Sequence, residues 1–155
     1  LSGKNLMNSH KIRLRLAKQE DGPEIWRWRN DPVSRQFSFN SAPIPLEEHL
    51  NWWAASLANP KRRTYILESE HGEGLGSLRK DETEAGEIEL SWMIAPEHRG
   101  KGYGTTLLRL GIEGEKGRCI ALIKPENIAS CRMVEKVGFV KREMGVYEWI
   151  GKETE

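Results

Sequence analysis

The sequence predicts a single α/β domain of the α+β type, with a strand-rich centre set among helices. Three observations carry that prediction. The 155 residues fit one unit on a prior of roughly 100–200 residues per domain. Segments of period-two hydrophobicity and segments with apolar residues three and four apart both occur, and they interleave along the chain. Between about residues 63 and 95, three strand candidates follow one another with only short turns between them, the pattern of an antiparallel meander. The predicted order is β-α-α-β-β-β-α-β-α-β-β.

Each element has its own reason. Ile12, Leu14 and Leu16 alternate with Arg13 and Arg15, which marks a strand over 11–17 with one buried face. Asp21 offers an N-cap and Pro23 suits a first turn, so a short helix runs through Ile25, Trp26, Trp28 and Arg29 until Pro32 stops it. The Ser- and Pro-rich stretch from Val33 to Pro45 reads as loop. A helix fits 46–58, because Leu46, Leu50, Trp53 and Leu57 form an apolar stripe, with His49, Trp52 and Ser56 on its flank; Asn59-Pro60 ends it. Strands follow at 63–69, 74–80 and 87–95, joined at His71-Gly72 and 83–86. An amphipathic helix begins near Tyr103 or Gly104, passes through Leu107, Leu108 and Ile112, and ends at Gly114 and Gly117. A short strand over 118–124 precedes a helix opened by Pro125-Glu126-Asn127 and running to about Val137. Short strands at 139–141 and 146–150 lead into a polar tail. The domain is expected to span 7–151, with 1–6 a leader outside the fold.

Composition narrows the function. The 24 Lys+Arg against 23 Asp+Glu leave a net charge of +1, which argues against a nucleic-acid partner while permitting a local phosphate site. No apolar run approaches the roughly 18 residues of a membrane span, so a cytoplasmic protein without membrane contact is expected. Cys119 and Cys131 are too few and too far apart for a zinc motif or a disulfide framework. They read as reduced, partly buried thiols, and no metal is expected. Six tryptophans make up half of the twelve aromatics, and four of them, Trp26, Trp28, Trp52 and Trp53, fall in the first third of the chain.

The run Arg99-Gly100-Lys101-Gly102-Tyr103-Gly104 lies between a strand and a helix. Such a turn aims several backbone N–H groups at one point, and the helix N-terminus adds partial positive charge, so it suits a phosphate or pyrophosphate. Arg99 and Lys101 would add charge-assisted hydrogen bonds. It is neither a Walker loop, since no Gly-Lys-Ser/Thr follows four spacer residues, nor the dinucleotide fingerprint, whose third glycine comes two residues later. A tight turn without a ligand is the plain alternative.

Here the chain resembles the GNAT superfamily of acyl-coenzyme A-dependent N-acyltransferases, whose signature is Arg/Gln-x-x-Gly-x-Gly/Ala at a strand-to-helix turn. Arg99, Gly102 and Gly104 match it, Ala95-Pro96-Glu97-His98 looks like the family's approach to the loop, and Asn127-Ile128-Ala129-Ser130 with Lys136-Val137-Gly138-Phe139 resembles a later motif. The resemblance implies a central mixed, mostly antiparallel sheet flanked by about four helices. It implies acetyl-coenzyme A as co-substrate, its pyrophosphate cradled by Arg99, Gly100, Lys101, Gly102, Tyr103, Gly104 and Thr105. Its pantetheine arm would lie along the diverging end of the fourth strand near Met93 and Ile94, with Asn127 and Ser130 touching the arm. As a helix N-cap and a first-turn residue, Asn127 and Ser130 also have an ordinary structural reading.

Acyl transfer to an amine needs a deprotonated amine, an oxyanion donor and a proton source for the departing thiolate. Backbone N–H groups near Ile94 would serve as donor, as in the family. Alternation puts Glu87, Glu89, Ser91 and Met93 on one strand face, and Glu89, set back from the thioester, is the expected base; the alternative is a solvated acidic hairpin over 81–89. The family's tyrosine acid is replaced by Val134, so that acid is excluded. Cys131 falls on the apolar side of its helix and reads as a packed thiol, and a coenzyme thiol with a pKa of about 8.5 can leave with water's help.

For the acceptor, tryptophan faces suit sugar rings or bases, and Arg and His suit a diphosphate. The Trp28-Arg29-Asn30-Asp31 segment with Glu48-His49 and Trp52-Trp53 is similar to GNAT enzymes that acetylate nucleotide-linked deoxyaminosugars, as in pseudaminic acid synthesis. That likeness implies a small-molecule amine acceptor held by Arg29, Asn30, His49 and Trp52. Two rivals stay open: a protein N-terminal or side-chain acetyltransferase of the ribosomal-protein type, and a non-catalytic acyl-coenzyme A sensor.

Overall fold

A computed structural model describes residues 12–151; the leader at 1–6, the first residue of the strand expected at 11 and the tail beyond 151 lie outside the described residues. Seven strands form one open sheet: β1 (Arg13–Leu16), β2 (Arg62–Glu68), β3 (Gly74–Glu82), β4 (Ile88–Ile94), β5 (Arg118–Leu122), β6 (Val140–Glu143) and β7 (Val146–Ile150). Their spatial order is β1-β2-β3-β4-β5-β7-β6. Every neighbouring pair is antiparallel except β4 and β5, which are parallel. Five helices accompany them: α1 (Gly22–Asn30), α2 (Pro32–Phe37), α3 (Leu46–Ala58), α4 (Tyr103–Ile112) and α5 (Ile128–Val137). The GNAT arrangement is therefore present, with one helix more than expected.

Strand alternation sends successive residues to opposite faces, and each face has its own core. Leu67, Leu78 and Leu90 turn to one side, where Leu107, Leu108 and Val134 of α4 and α5 meet them. Ile66 turns to the other, where Ile25 and Trp28 of α1 and Trp53 of α3 pack with Ala95. Burying one such leucine or isoleucine side chain stabilises the fold by about 1.5–3 kcal/mol. Cys119 belongs to the first core, and burial pushes its thiol up to about 11. It is an unreactive packing residue.

Three local readings are corrected. Pro32 opens a helix instead of closing one: the carboxylate of Asp31 caps α2 by accepting from the backbone N–H groups of Val33 and Ser34 at 3.1 and 3.3 Å, and proline occupies the first turn, where its missing N–H costs nothing. The segment expected to be loop from 33 therefore starts helical. The second correction concerns α3. His49, Trp53 and Ser56 are its buried residues, while Leu46, Leu50 and Leu57 remain about 40% exposed. The helix is rotated because its polar handles find partners inward. The Trp53 indole N–H is shared by the carbonyls of Lys18 and Gln19, and the Ser56 hydroxyl accepts from Arg62. Gly22 permits this approach, since a Cβ there would sit 2.8 Å from the Trp53 ring. Third, β1 is an edge strand, and Leu16 at its end is left 59% exposed although it shares the face of Leu14.

Candidate active site

The site begins where two strands part. β4 pairs with β5 only from Ile88 to Leu90, against Cys119 to Ala121, yet it stays paired with β3 as far as Ile94. From Ser91 onward, the β5-facing edge of β4 has no strand partner. A cleft of about 770 Å³ opens there, with Glu89, Ser91, Met93 and Ile94 on its wall. That is a volume typical of a small-ligand site.

One end of the cleft is the glycine-rich turn. Gly100 and Gly102 have φ of +75° and +83°, and no atom lies within 4 Å of where a Cβ would stand on either. Their left-handed conformation exposes consecutive backbone N–H groups at the start of α4, for which Gly102 is the N-cap. An anion with pyrophosphate chemistry fits this cradle. Gly104 has a different reason: a Cβ would come within 2.6 Å of the Met133 sulfur, so glycine lets α4 and α5 close together. Tyr103, Gly104 and Thr105 line the cleft, as do Asn127, which caps α5 by accepting from the Ser130 N–H, and Ser130 itself.

The charged members of the turn are placed otherwise than the sequence suggests. Lys101 is exposed and stands outside the cleft wall. Arg99 lines the cleft, but its guanidinium reaches across to Asp31 Oδ2 at 2.7 Å and Ser34 Oγ at 2.9 Å. Arg99 thus ties the glycine-rich turn to the start of α2. Sequence reasoning passed over His98, which also lines the cleft: its Nε2 meets Glu73 at 2.8 Å, its ring stands edge-on to Tyr103, and its buried Nδ1 has no partner among the described residues.

The opposite end is built on Trp52. The Arg29 guanidinium lies 4.2 Å from the ring centroid, with those of Arg62 and Arg79 at 5.7 and 5.9 Å. Arg29, Trp52 and Arg79 all line the cleft. Arg79, absent from the sequence reading, shares a β3 face with Ser77 and Asp81; register pairs it with Ser91 and sets Asp81 opposite Glu89. Glu89 is half-buried on the cleft wall, and its carboxylate has no hydrogen-bond or ion-pair partner among the described residues.

Two expected acceptor contacts are corrected. His49 is fully buried, so it stands behind the wall rather than in it. Its Nε2–H donates to the Gly22 carbonyl at 2.8 Å, which leaves Nδ1 to accept from Arg29 at 2.9 Å. Burial first, and the neighbouring Arg29 charge after it, hold the imidazole below its usual value and keep it neutral, opposed in part by the Gly22 bond. His49 positions Arg29. Asn30 is likewise used by the fold: its amide donates to the Trp26 carbonyl and its oxygen accepts from Ile44 N–H, fastening the segment after α2 to α1.

Among the described residues there is no group of three or more side chains able to hold a metal ion, and no helix is long and apolar enough to cross a membrane.

Comparison with known proteins agrees with this geometry. No curated protein matches the chain. Among solved structures, spermidine N-acetyltransferase from Vibrio cholerae, in complex with coenzyme A and spermine, superposes with a TM-score of 0.81 at 18% identity, over 90% of this chain and 94% of that one. The aminoglycoside acetyltransferase AAC(6')-Ib with ribostamycin and coenzyme A gives 0.80 at 20% identity, over 90% and 93%. At such identities these show the fold alone. The family described as acetyltransferase (GNAT) domain matches residues 11–140, most of the chain. With a parted sheet, an open glycine cradle and a cleft joining it to a free carboxylate, the chain belongs to the GNAT acetyltransferase family and is an acyl-coenzyme A-dependent N-acetyltransferase that uses acetyl-coenzyme A as co-substrate.

Proposed function

We propose that the acceptor is the primary amine of a nucleotide-linked deoxyaminosugar. The observation that carries this reading is the Arg29 guanidinium stacked at 4.2 Å on Trp52, in the same cleft as Glu89. An indole face and a fixed guanidinium together suit a flat or ring-shaped ligand that carries phosphate. Acetyl-coenzyme A supplies the activated acetyl group when bound. In this reading, the backbone N–H groups of Gly100 and Gly102 hold its pyrophosphate, with Tyr103, Gly104 and Thr105 beside them. The free edge of β4 at Met93 and Ile94 receives the pantetheine arm, against Asn127 and Ser130.

Glu89 takes a proton from the acceptor ammonium, directly or through water, which frees the neutral amine to attack, and its lack of a cationic partner among the described residues supports that role. The family's tyrosine position is the buried Val134, so the thiolate leaves to solvent protonation. A product assay tests the reading. UDP-linked 4-amino sugars offered beside ribosomal-type N-terminal peptides are expected to be acetylated with release of free thiol. Acetylation of the peptides alone would overturn the choice of acceptor, and binding of acetyl-coenzyme A without any amine-dependent thiol release would turn the reading to a sensor.

A further inference from the structure

The acceptor end of the cleft has a charge imbalance that the fold does not require. Three guanidiniums, of Arg29, Arg62 and Arg79, surround the Trp52 ring. One carboxylate, Asp81, serves two of them, at 2.6 Å from Arg62 and 2.9 Å from Arg79. Arg29 has no ion pair among the described residues; its hydrogen-bond partner is the neutral imidazole of His49. Desolvation, and next the like charge of Arg79, lower its pKa, with only the exposed Glu48 acting in the opposite direction before Arg62 adds further repulsion. Glu89, the other carboxylate on this stretch of wall, is claimed by none of the three. Like charges held together beside a half-buried ring, with one anion too few, mark a place where an incoming anion completes the set.

We propose that Arg29 and Arg79, both beside Trp52 on the cleft wall, form a subsite for an anionic group carried by the acceptor, a phosphate or a carboxylate, so that this enzyme selects amines that also bear negative charge. Arg79 is the specificity-determining residue. It presents the sign of charge that repels polyamines and polycationic sugars while Glu89 receives the amine. This inference rests on the proposed acceptor end of the cleft but requires only an anion there, not a nucleotide.

The test uses the full chain saturated with coenzyme A, which fills the glycine cradle so that added anions report on the other end. UDP and uridine, glucuronate and glucose, and spermidine are titrated calorimetrically. At least one anion is expected to bind tenfold or more tighter than its uncharged twin, and spermidine to bind more weakly than that anion. Arg79→Gln and Arg29→Gln are each expected to remove that advantage while leaving the affinity of the uncharged twin within twofold, because a charge-assisted hydrogen bond is lost and the ring face is kept. Arg79→Lys restores part of it, since the charge returns without the fork. A preference for UDP alone supports a diphosphate; a preference for glucuronate alone upholds the anion subsite and removes the nucleotide-linked acceptor. Equal binding of the charged and uncharged twins, tighter binding of spermidine, or an advantage that survives both glutamine variants overturns the proposal. The wild-type comparison decides even where a variant fails to fold.

Discussion

In the proposed function Glu89 is the base and Gly102 part of the anion cradle, and each makes a separable prediction. Glu89→Gln keeps size and polarity but removes the proton acceptor, and a positioned general base is worth about 10²–10⁴ in rate. Steady-state kinetics should show kcat reduced about 100-fold, most at low pH, with KM for acetyl-coenzyme A within twofold; unchanged kcat removes Glu89 from the mechanism. Gly102 has φ of +83° with open space beyond its Cα. Valine there suffers backbone strain and covers the N–H groups facing the anion. Coenzyme A titration of Gly102→Val is expected to show at least a tenfold loss of affinity, and retained affinity would sink the pyrophosphate assignment. The placement of both on the cleft wall was legible from sequence, since glycine spacing and strand alternation are local signals. Arg79 and His98 were not. Arg79 enters the cleft through the pairing of β3 with β4, and His98 through its contact with Glu73; neither register nor loop packing is written in local spacing.

Between elements, α4 lies tight against β3 at Gly111. A Cβ on Gly111 would lie 2.3 Å from Leu78 Cδ2, and Leu78 is wholly buried, so its side chain must give way within the core. Alanine gains about 1 kcal/mol in helix propensity over glycine, but overpacking costs typically 1–3 kcal/mol. Gly111→Ala should therefore be neutral to destabilising, by up to about 2 kcal/mol, as a lower denaturant midpoint with an unchanged slope; a stabilised variant shows that α4 can shift outward. Apart from α2, element order was readable along the described chain, because period two and period 3.6 are strong signals when sustained. What escaped was orientation. The leucines of α3 outweigh its other face in hydropathy, yet the helix buries His49, Trp53 and Ser56; the partners of the first two, Gly22, Lys18 and Gln19, lie far off in sequence, and that of Ser56, Arg62, lies beyond the helix end. α2 is a different kind of miss: Asp31-Pro32 is a cap followed by an N1 proline, a signal present in the sequence and read as a stop.

At the scale of the whole molecule, three carboxyls and one histidine bind fewer protons in the folded state than in the unfolded chain. Hydrogen bonding to Arg15 is the main cause that lowers the Asp21 carboxyl, and Arg15 with Arg13 does the same for Glu68. Arg27 holds Glu97, which starts from 4.5, at about 2. Burial holds His49 below its ordinary 6.5. A group whose folded pKa is depressed contributes stability above its unfolded pKa and loses it as pH falls toward the folded value. Stability should thus decline in two limbs: an upper one starting near pH 6.5 as the unfolded chain protonates its histidine, and a lower one starting near pH 4.5 as the carboxyls follow. The upper limb belongs to the Arg29 support, since a protonated His49 can no longer accept from Arg29. His49→Gln separates the two limbs, because a glutamine amide donates to the Gly22 carbonyl and accepts from Arg29 without titrating. Denaturant unfolding between pH 7 and 3 should show this variant with a flatter slope between about pH 6.5 and 5 and an unaltered fall below 4.5. An upper slope equal to that of the wild type would place the titrating group elsewhere and detach His49 from the acid sensitivity of the fold.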